Sequence, residues 1–78
     1  MKYEYDSKAD CAYIYINDLP HSCSKGLDET RFVDYAKDGT VIGIELLYVS
    51  SGVDISGLPF ENELAKLLGK YNIRVYAK

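Results

Sequence analysis

The segment Lys37-Asp38-Gly39-Thr40 constrains this chain most, because it stands between two apolar runs, Arg31–Ala36 and Val41–Val49. Asp-Gly in that setting predicts a tight hairpin. Both central positions of a type I′ turn need φ > 0, which aspartate tolerates and glycine adopts freely. With Asp38-Gly39 at the tip, Val33 faces Ile44 and Tyr35 faces Ile42. Val33, Tyr35, Ile42, Ile44 and Leu46 then line one face. Phe32, Asp34, Val41, Gly43, Glu45 and Leu47 line the other. A three-residue loop with Gly39 as a bulge would instead set Arg31 against Glu45. The first register is the expected one, since it leaves one face wholly apolar.

A second hairpin precedes it. Tyr3 to Asp6 alternates, Ser7 to Asp10 is a polar break, and Cys11 to Ile16 is rich in aromatic and β-branched residues. If Asp6 faces Cys11, then Tyr3 faces Ile14. Tyr3, Tyr5, Ala12, Ile14 and Ile16 share a core face, while Lys2, Glu4, Asp6, Cys11, Tyr13 and Tyr15 share the opposite one.

Elsewhere the periodicity changes. Asn17 to Ser24 reads as a loop, with a strand resuming inside residues 26–36, and Ser50 to Leu58 reads as irregular. Pro59 opens a helix, since proline suits the first helical turn. Phe60, Leu64, Leu67 and Leu68 form one apolar stripe, and Gly69 is the expected stop. Tyr71, Ile73 and Val75 alternate with polar or exposed positions, which predicts a short final strand. The expected fold is α+β: a four-stranded antiparallel meander, one C-terminal helix packed on a face, and that final strand. Residues 1–78 make a single domain.

Composition narrows the function classes. With 47% apolar and 27% charged residues, the chain is too hydrophobic for a disordered tail. Its net charge of −3 and scattered lysines and arginines argue against nucleic acid and against an anionic membrane surface. No apolar stretch is long enough to span a membrane, and the N-terminus is no secretory signal, so a cytoplasmic location is expected. Cys11 and Cys23 are then expected to be reduced, as a strand residue and a loop thiol. With His21 they supply three ligands at most, so neither a metal nor another cofactor is expected. A Cys–His pair for catalysis can be written with His21, but no motif supports it.

Two stretches read together carry a resemblance. They are Tyr5-Asp6-x-x-Ala9-Asp10-x-x-Tyr13-Ile14 and Val33-Asp34-Tyr35-x-x-Asp38-Gly39-x-Val41-Ile42-Gly43-Ile44-Glu45-Leu46-Leu47. In spacing and order they resemble the family called domain of unknown function 2283. The departures are Cys11-Ala12, where the family has a small residue followed by leucine, and Ala36, where an acidic residue is frequent. The resemblance implies a small, mainly β, cytosolic prokaryotic-type protein with no established activity. Some relatives are encoded beside small toxin-like domains, which suggests a small partner protein encoded nearby.

Asp6, Asp10, Asp38 and Glu45 fall on acidic positions of that motif. They allow two readings: a carboxylate cluster for a cation or for acid–base work, or aspartates capping turns through their own backbone. The eight tyrosines are the most unusual feature, since tyrosine couples a rigid apolar ring to a polar tip. Tyr13, Tyr15, Phe32 and Leu47 would project opposite the core. The expected function is a non-catalytic protein-binding or regulatory module, self-associating as a homodimer through that face. The alternatives are a minimal enzyme or cation site using Asp10 and Glu45, and single-strand nucleic-acid stacking on tyrosines.

Overall fold

The computed structural model describes all 78 residues. Its main sheet has five antiparallel strands: β1 (Lys2–Asp6), β2 (Cys11–Tyr15), β3 (Cys23–Gly26), β4 (Arg31–Tyr35) and β5 (Val41–Leu47). Their spatial order is β1-β2-β5-β4-β3, so the expected four-stranded meander is corrected to a five-stranded sheet with a crossover. After β2 the chain runs to the far edge, then returns through β3 and β4 to lay β5 beside β2, a Greek-key arrangement. Composition explains the order. The most apolar strand, β5, takes the centre, while β3 (Cys-Ser-Lys-Gly) is short, polar and exposed throughout, as suits an edge.

The first hairpin has the expected register: Asp6 opposite Cys11, Tyr5 opposite Ala12 and Tyr3 opposite Ile14. The Asp6 carboxylate accepts the Lys8 and Ala9 amides at 3.0 and 3.3 Å, which pins the turn. The second hairpin departs from the type I′ expectation. Only Gly39 has positive φ, at 89°; its amide donates to the Ala36 carbonyl at 3.0 Å, and the Ala36 amide donates to Thr40. The turn is therefore Ala36 to Gly39, closed by a glycine bulge. Tyr35 consequently faces Val41. A second irregularity between Asp34 and Tyr35 restores the expected pairing, with Val33 opposite Ile44 and Arg31 opposite Leu46. Between the two bulges only the β5 residues change sides, and Tyr35 keeps its expected core position. Val41 and Tyr35 pack against the core, whereas Ile42, expected there, is buried outside that cluster.

The C-terminal part makes a second layer. A single 3-10 turn (Val49–Ser51) leads to β6 (Val53–Asp54), then α1 (Glu61–Lys70) and β7 (Val75–Tyr76). The final strand exists, but it pairs in parallel with β6 and does not join the main sheet. Parallel pairing needs a crossover, and α1 supplies it. Pro59 does not open the helix as expected. Phe60 takes φ 60° and caps it, so Pro59 lies in the preceding turn. Gly69 is likewise not the stop. Asn72 holds the left-handed position at φ 61°, and the Ile73 and Asn72 amides donate to the Leu68 and Gly69 carbonyls at 2.9 and 3.0 Å. That is a Schellman ending built on asparagine, with Ile73 packing back on the cluster that holds Leu68.

The core lies between the sheet and this layer. Ala12, Ile14, Val33, Ile44 and Leu46 from the sheet meet Val49, Val53, Leu58, Leu64 and Leu68. Arg31 ties the layers at one side. Its guanidinium donates to the Asp54 and Ser56 carbonyls at 2.9 and 2.6 Å and to the Asp28 carboxylate at 2.9 Å. Parity therefore places Tyr13, Tyr15, Phe32 and Leu47 on the face turned away from the helix, which no helix or strand covers.

Candidate functional site

On that open face, side chains form cross-strand rows. One runs Lys2, Tyr15, Gly43, Asp34, Ser24; the next runs Glu4, Tyr13, Glu45, Phe32, Gly26. Tyr13 does not stand upright. Its ring lies over the backbone of Gly43, where a Cβ would overlap the phenol, and its hydroxyl donates to Asp34 Oδ2 at 2.6 Å. Burial, then the bond to Asp34, pushes the Tyr13 phenol well above the ordinary tyrosine range. Tyr15 meets Tyr13 edge-on at 4.6 Å and is 42% exposed. Its ring carries Lys2 at 5.7 Å, and its hydroxyl donates to Glu4 at 3.3 Å. The result is an aromatic surface whose two tyrosine hydroxyls are already bonded within the chain.

Asp34 is the hub of a second line of contacts. The Ser24 hydroxyl donates to Asp34 Oδ1 at 2.5 Å, and His21 Nε2 lies 2.8 Å from Ser24 Oγ. A hydroxyl has one proton. With that proton on the carboxylate, the Ser24 oxygen is left to accept from the His21 ring. The arrangement fastens the 16–22 loop to the sheet edge. Sequence reading missed Asp34, Ser24 and Gly43. A glycine inside an apolar strand was the available signal, because it marks a close approach of another group.

The four acidic candidates divide between the two ends and the centre of the sheet. Asp10 has φ 55° and reaches out of the first hairpin turn. It accepts the Ser50 hydroxyl at 2.5 Å, the Ser50 amide at 3.1 Å and the Tyr5 hydroxyl at 2.9 Å. It thereby ties that turn to the 3-10 segment, and the Ser50 hydroxyl, first among these bonds, lowers its pKa. Asp6 caps the same turn. Asp38 caps the opposite one, accepting the Thr40 amide at 2.9 Å. Glu45 lies on the open face of the central strand, exposed. Asp6 and Glu45 line one shallow groove of about 360 Å³ with Glu4, Tyr5, Cys11 and Tyr13; Asp10 and Asp38 are not in its lining.

Asp10, Asp28, Asp38 and Asp54 all have lowered pKa values, held down chiefly by bonds from Ser50, Thr30, Thr40 and Ser56 respectively. A depressed carboxylate contributes stability that is present above its unfolded pKa and lost as pH falls through the folded one. Melting temperature is therefore expected to hold steady from neutral pH to about pH 4 and to fall progressively below it. Asp10→Asn should flatten that acid limb in a pH series of thermal melts.

Cys11 and Cys23 are free. The Cys11 thiol donates to the Ala9 carbonyl at 3.3 Å, and burial, then Glu45, Asp6 and Asp10, raises its pKa. That is the opposite of thiolate activation. His21 bonds Ser24 and neither cysteine, and no three His, Cys, Asp or Glu side chains converge on a metal-holding geometry. No helix is long and apolar enough to cross a membrane.

No curated protein and no solved structure matches the chain. The family model described as "Protein of unknown function (DUF2283)" matches residues 2–50. That span contains all five strands of the main sheet, its three hairpin turns and every residue of the open face. With more than half of its length inside the match, the chain belongs to the DUF2283 family.

Proposed function

We propose that this protein is a non-catalytic protein-binding module that docks its partners on the open sheet face. The carrying observation is one-sided coverage: the helix and the β6/β7 ribbon pack on one face of the sheet, leaving Tyr13, Tyr15, Phe32 and Leu47 on the other. Rigid aromatic area with pre-satisfied hydroxyls costs little entropy to bury, which suits a docking surface. The aspartates bonded into turns and loops, and a serine whose proton is spent on a carboxylate, support a role without catalysis.

The same face supports homodimerisation when no partner is present. An isologous two-fold through its centre sets Glu45 near its own copy, so this self-association is weak. Light scattering is expected to rise from 8.8 kDa toward twice that mass as concentration increases. Tyr15→Glu, which places a charge on the open face only, should keep the protein monomeric while leaving it folded. Association unaffected by Tyr15→Glu would remove this face as the contact.

A further inference from the structure

The main sheet has two rims, and they differ in charge pattern. At one, β3 carries a single charge, Lys25, which finds no opposite charge on a second β3. At the other, β1 reads Lys-Tyr-Glu-Tyr-Asp, and only β2 lies beside it. The direction of its backbone groups follows from the neighbouring ladder. The Ile16 amide, just past β2, donates to the Ile42 carbonyl at 2.9 Å, so even-numbered residues of β2 bond β5 and odd-numbered ones bond β1. Tyr15 and Tyr13 stand opposite Lys2 and Glu4. Lys2, Glu4 and Asp6 therefore bond β2. Tyr3 and Tyr5 turn their amides and carbonyls outward, where no strand, turn or loop backbone receives them. Unpaired groups along an exposed strand are a template for another strand.

The charges select which strand. When two copies of β1 pair antiparallel, a two-fold axis centred on Tyr5 sets Glu4 against Asp6. One centred on Glu4 matches Lys2 with Asp6 but sets Glu4 against itself. One centred on Tyr3 sets Lys2 against Glu4 twice, at the closely spaced sites of the ladder, and leaves no like charges opposed. In that register the Tyr3 amide of each copy donates to the Tyr3 carbonyl of the other, and the Tyr5 amide meets the Met1 carbonyl. We propose that the partner at this rim is a second copy of the chain, joined β1 to β1 about Tyr3, so that two main sheets become one. Backbone hydrogen bonds hold the pair, and the exposed charges, individually weak, set its register. This goes beyond the docking reading. The axis stands upright on the sheet, so both open faces point the same way, with Tyr13, Phe32 and Leu47 uncovered on each copy.

The test exchanges the charges. The Lys2 and Glu4 side chains are both exposed, so the fold does not depend on them. Lys2→Glu and Glu4→Lys each oppose like charges at both contacts, and each should be monomeric at concentrations where the native protein associates. Mixed in equal amounts, the two variants set acid against base at both contacts and should pair again. Amide exchange followed by NMR locates the pairing. The Tyr3 and Tyr5 amides should exchange freely in either variant alone, and should slow roughly tenfold in the native protein and in the mixture once about nine-tenths of the chains are paired. Tyr15→Glu does not separate the rim from the open face, because its carboxylate would stand opposite Lys2 and compete for it; the exchange rates do. A mixture no more associated than its components would overturn the pairing. So would a dimer whose Tyr3 and Tyr5 amides exchange freely, which would leave the open face as the contact. A native protein that stays monomeric at millimolar concentration would overturn both self-contacts while leaving the docking of a different protein intact.

Discussion

Replacing Arg31 with alanine is expected to remove about 1.5–3 kcal/mol of folding stability, the cost of losing a part-buried charge that donates to three acceptors. The Arg31 side chain is 11% exposed and spends its donors on two elements at once. One nitrogen meets Asp28 in the β3–β4 connection, and another meets the carbonyls of Asp54, which ends β6, and of Ser56 just after it. Removing it leaves two inward-facing carbonyls and a carboxylate without their donor. Total stability for domains is about 5–15 kcal/mol, and a chain this small belongs at the low end, so the variant should be largely unfolded in mild urea. Arg31→Lys should recover less than half of the loss, because an ammonium is a point donor and cannot reach both carbonyls and Asp28 together. Urea unfolding followed by circular dichroism measures all three proteins. A loss below about 1 kcal/mol, the size of a surface pair, would show that the two layers are held by apolar packing alone.

Gly43→Ala is expected to destabilise by about 1–3 kcal/mol although alanine is the better strand residue. The added methyl takes the space of the Tyr13 phenol. Tyr13 must swing off the sheet, and Asp34 loses the 2.6 Å bond from its hydroxyl. The effect should vanish in a Tyr13→Ala background and persist in Tyr13→Phe, which keeps the ring but not the bond. A double-mutant cycle in urea reads this coupling directly. A second readout follows from protonation. Burial and Asp34 raise the Tyr13 pKa, so its neutral form contributes stability that is complete below the ordinary tyrosine range and is lost as pH rises through the raised one. Gly43→Ala should flatten that alkaline loss. An unchanged alkaline limb would mean that Tyr13 is free of Asp34 in solution.

The residue pattern alone carried the parity of the sheet. Tyr3, Ala12 and Ile14 turn inward and Tyr13 and Tyr15 outward as alternation requires, because a strand has period two and one side must be dry. The hairpin pairing Asp6 to Cys11 was legible because a short turn fixes register locally, whereas Val33 meets Ile44 as expected only because the irregularity after Asp34 offsets the glycine bulge. At the site, the aromatic residues of the open face were readable as a set, and Glu45 as one carboxylate among four.

What lay beyond the pattern was decided by contacts between residues far apart in the chain. The placement of β5 beside β2 is a choice among pairings of equal local quality, settled by which order buries the apolar strands and leaves Cys23–Gly26 at the rim. The bulge that turns Val41 inward depends on how the Gly39 loop meets a ladder already set at Val33. Asp10 resembled a turn cap until the fold brought Ser50 to it, and Tyr13 owes its flat posture to a glycine on one neighbouring strand and a carboxylate on the next. Local alternation determines which way each side chain points, because it is a property of one strand. What that side chain then touches is a property of the strands that pack beside it, and only the assembled sheet supplies them.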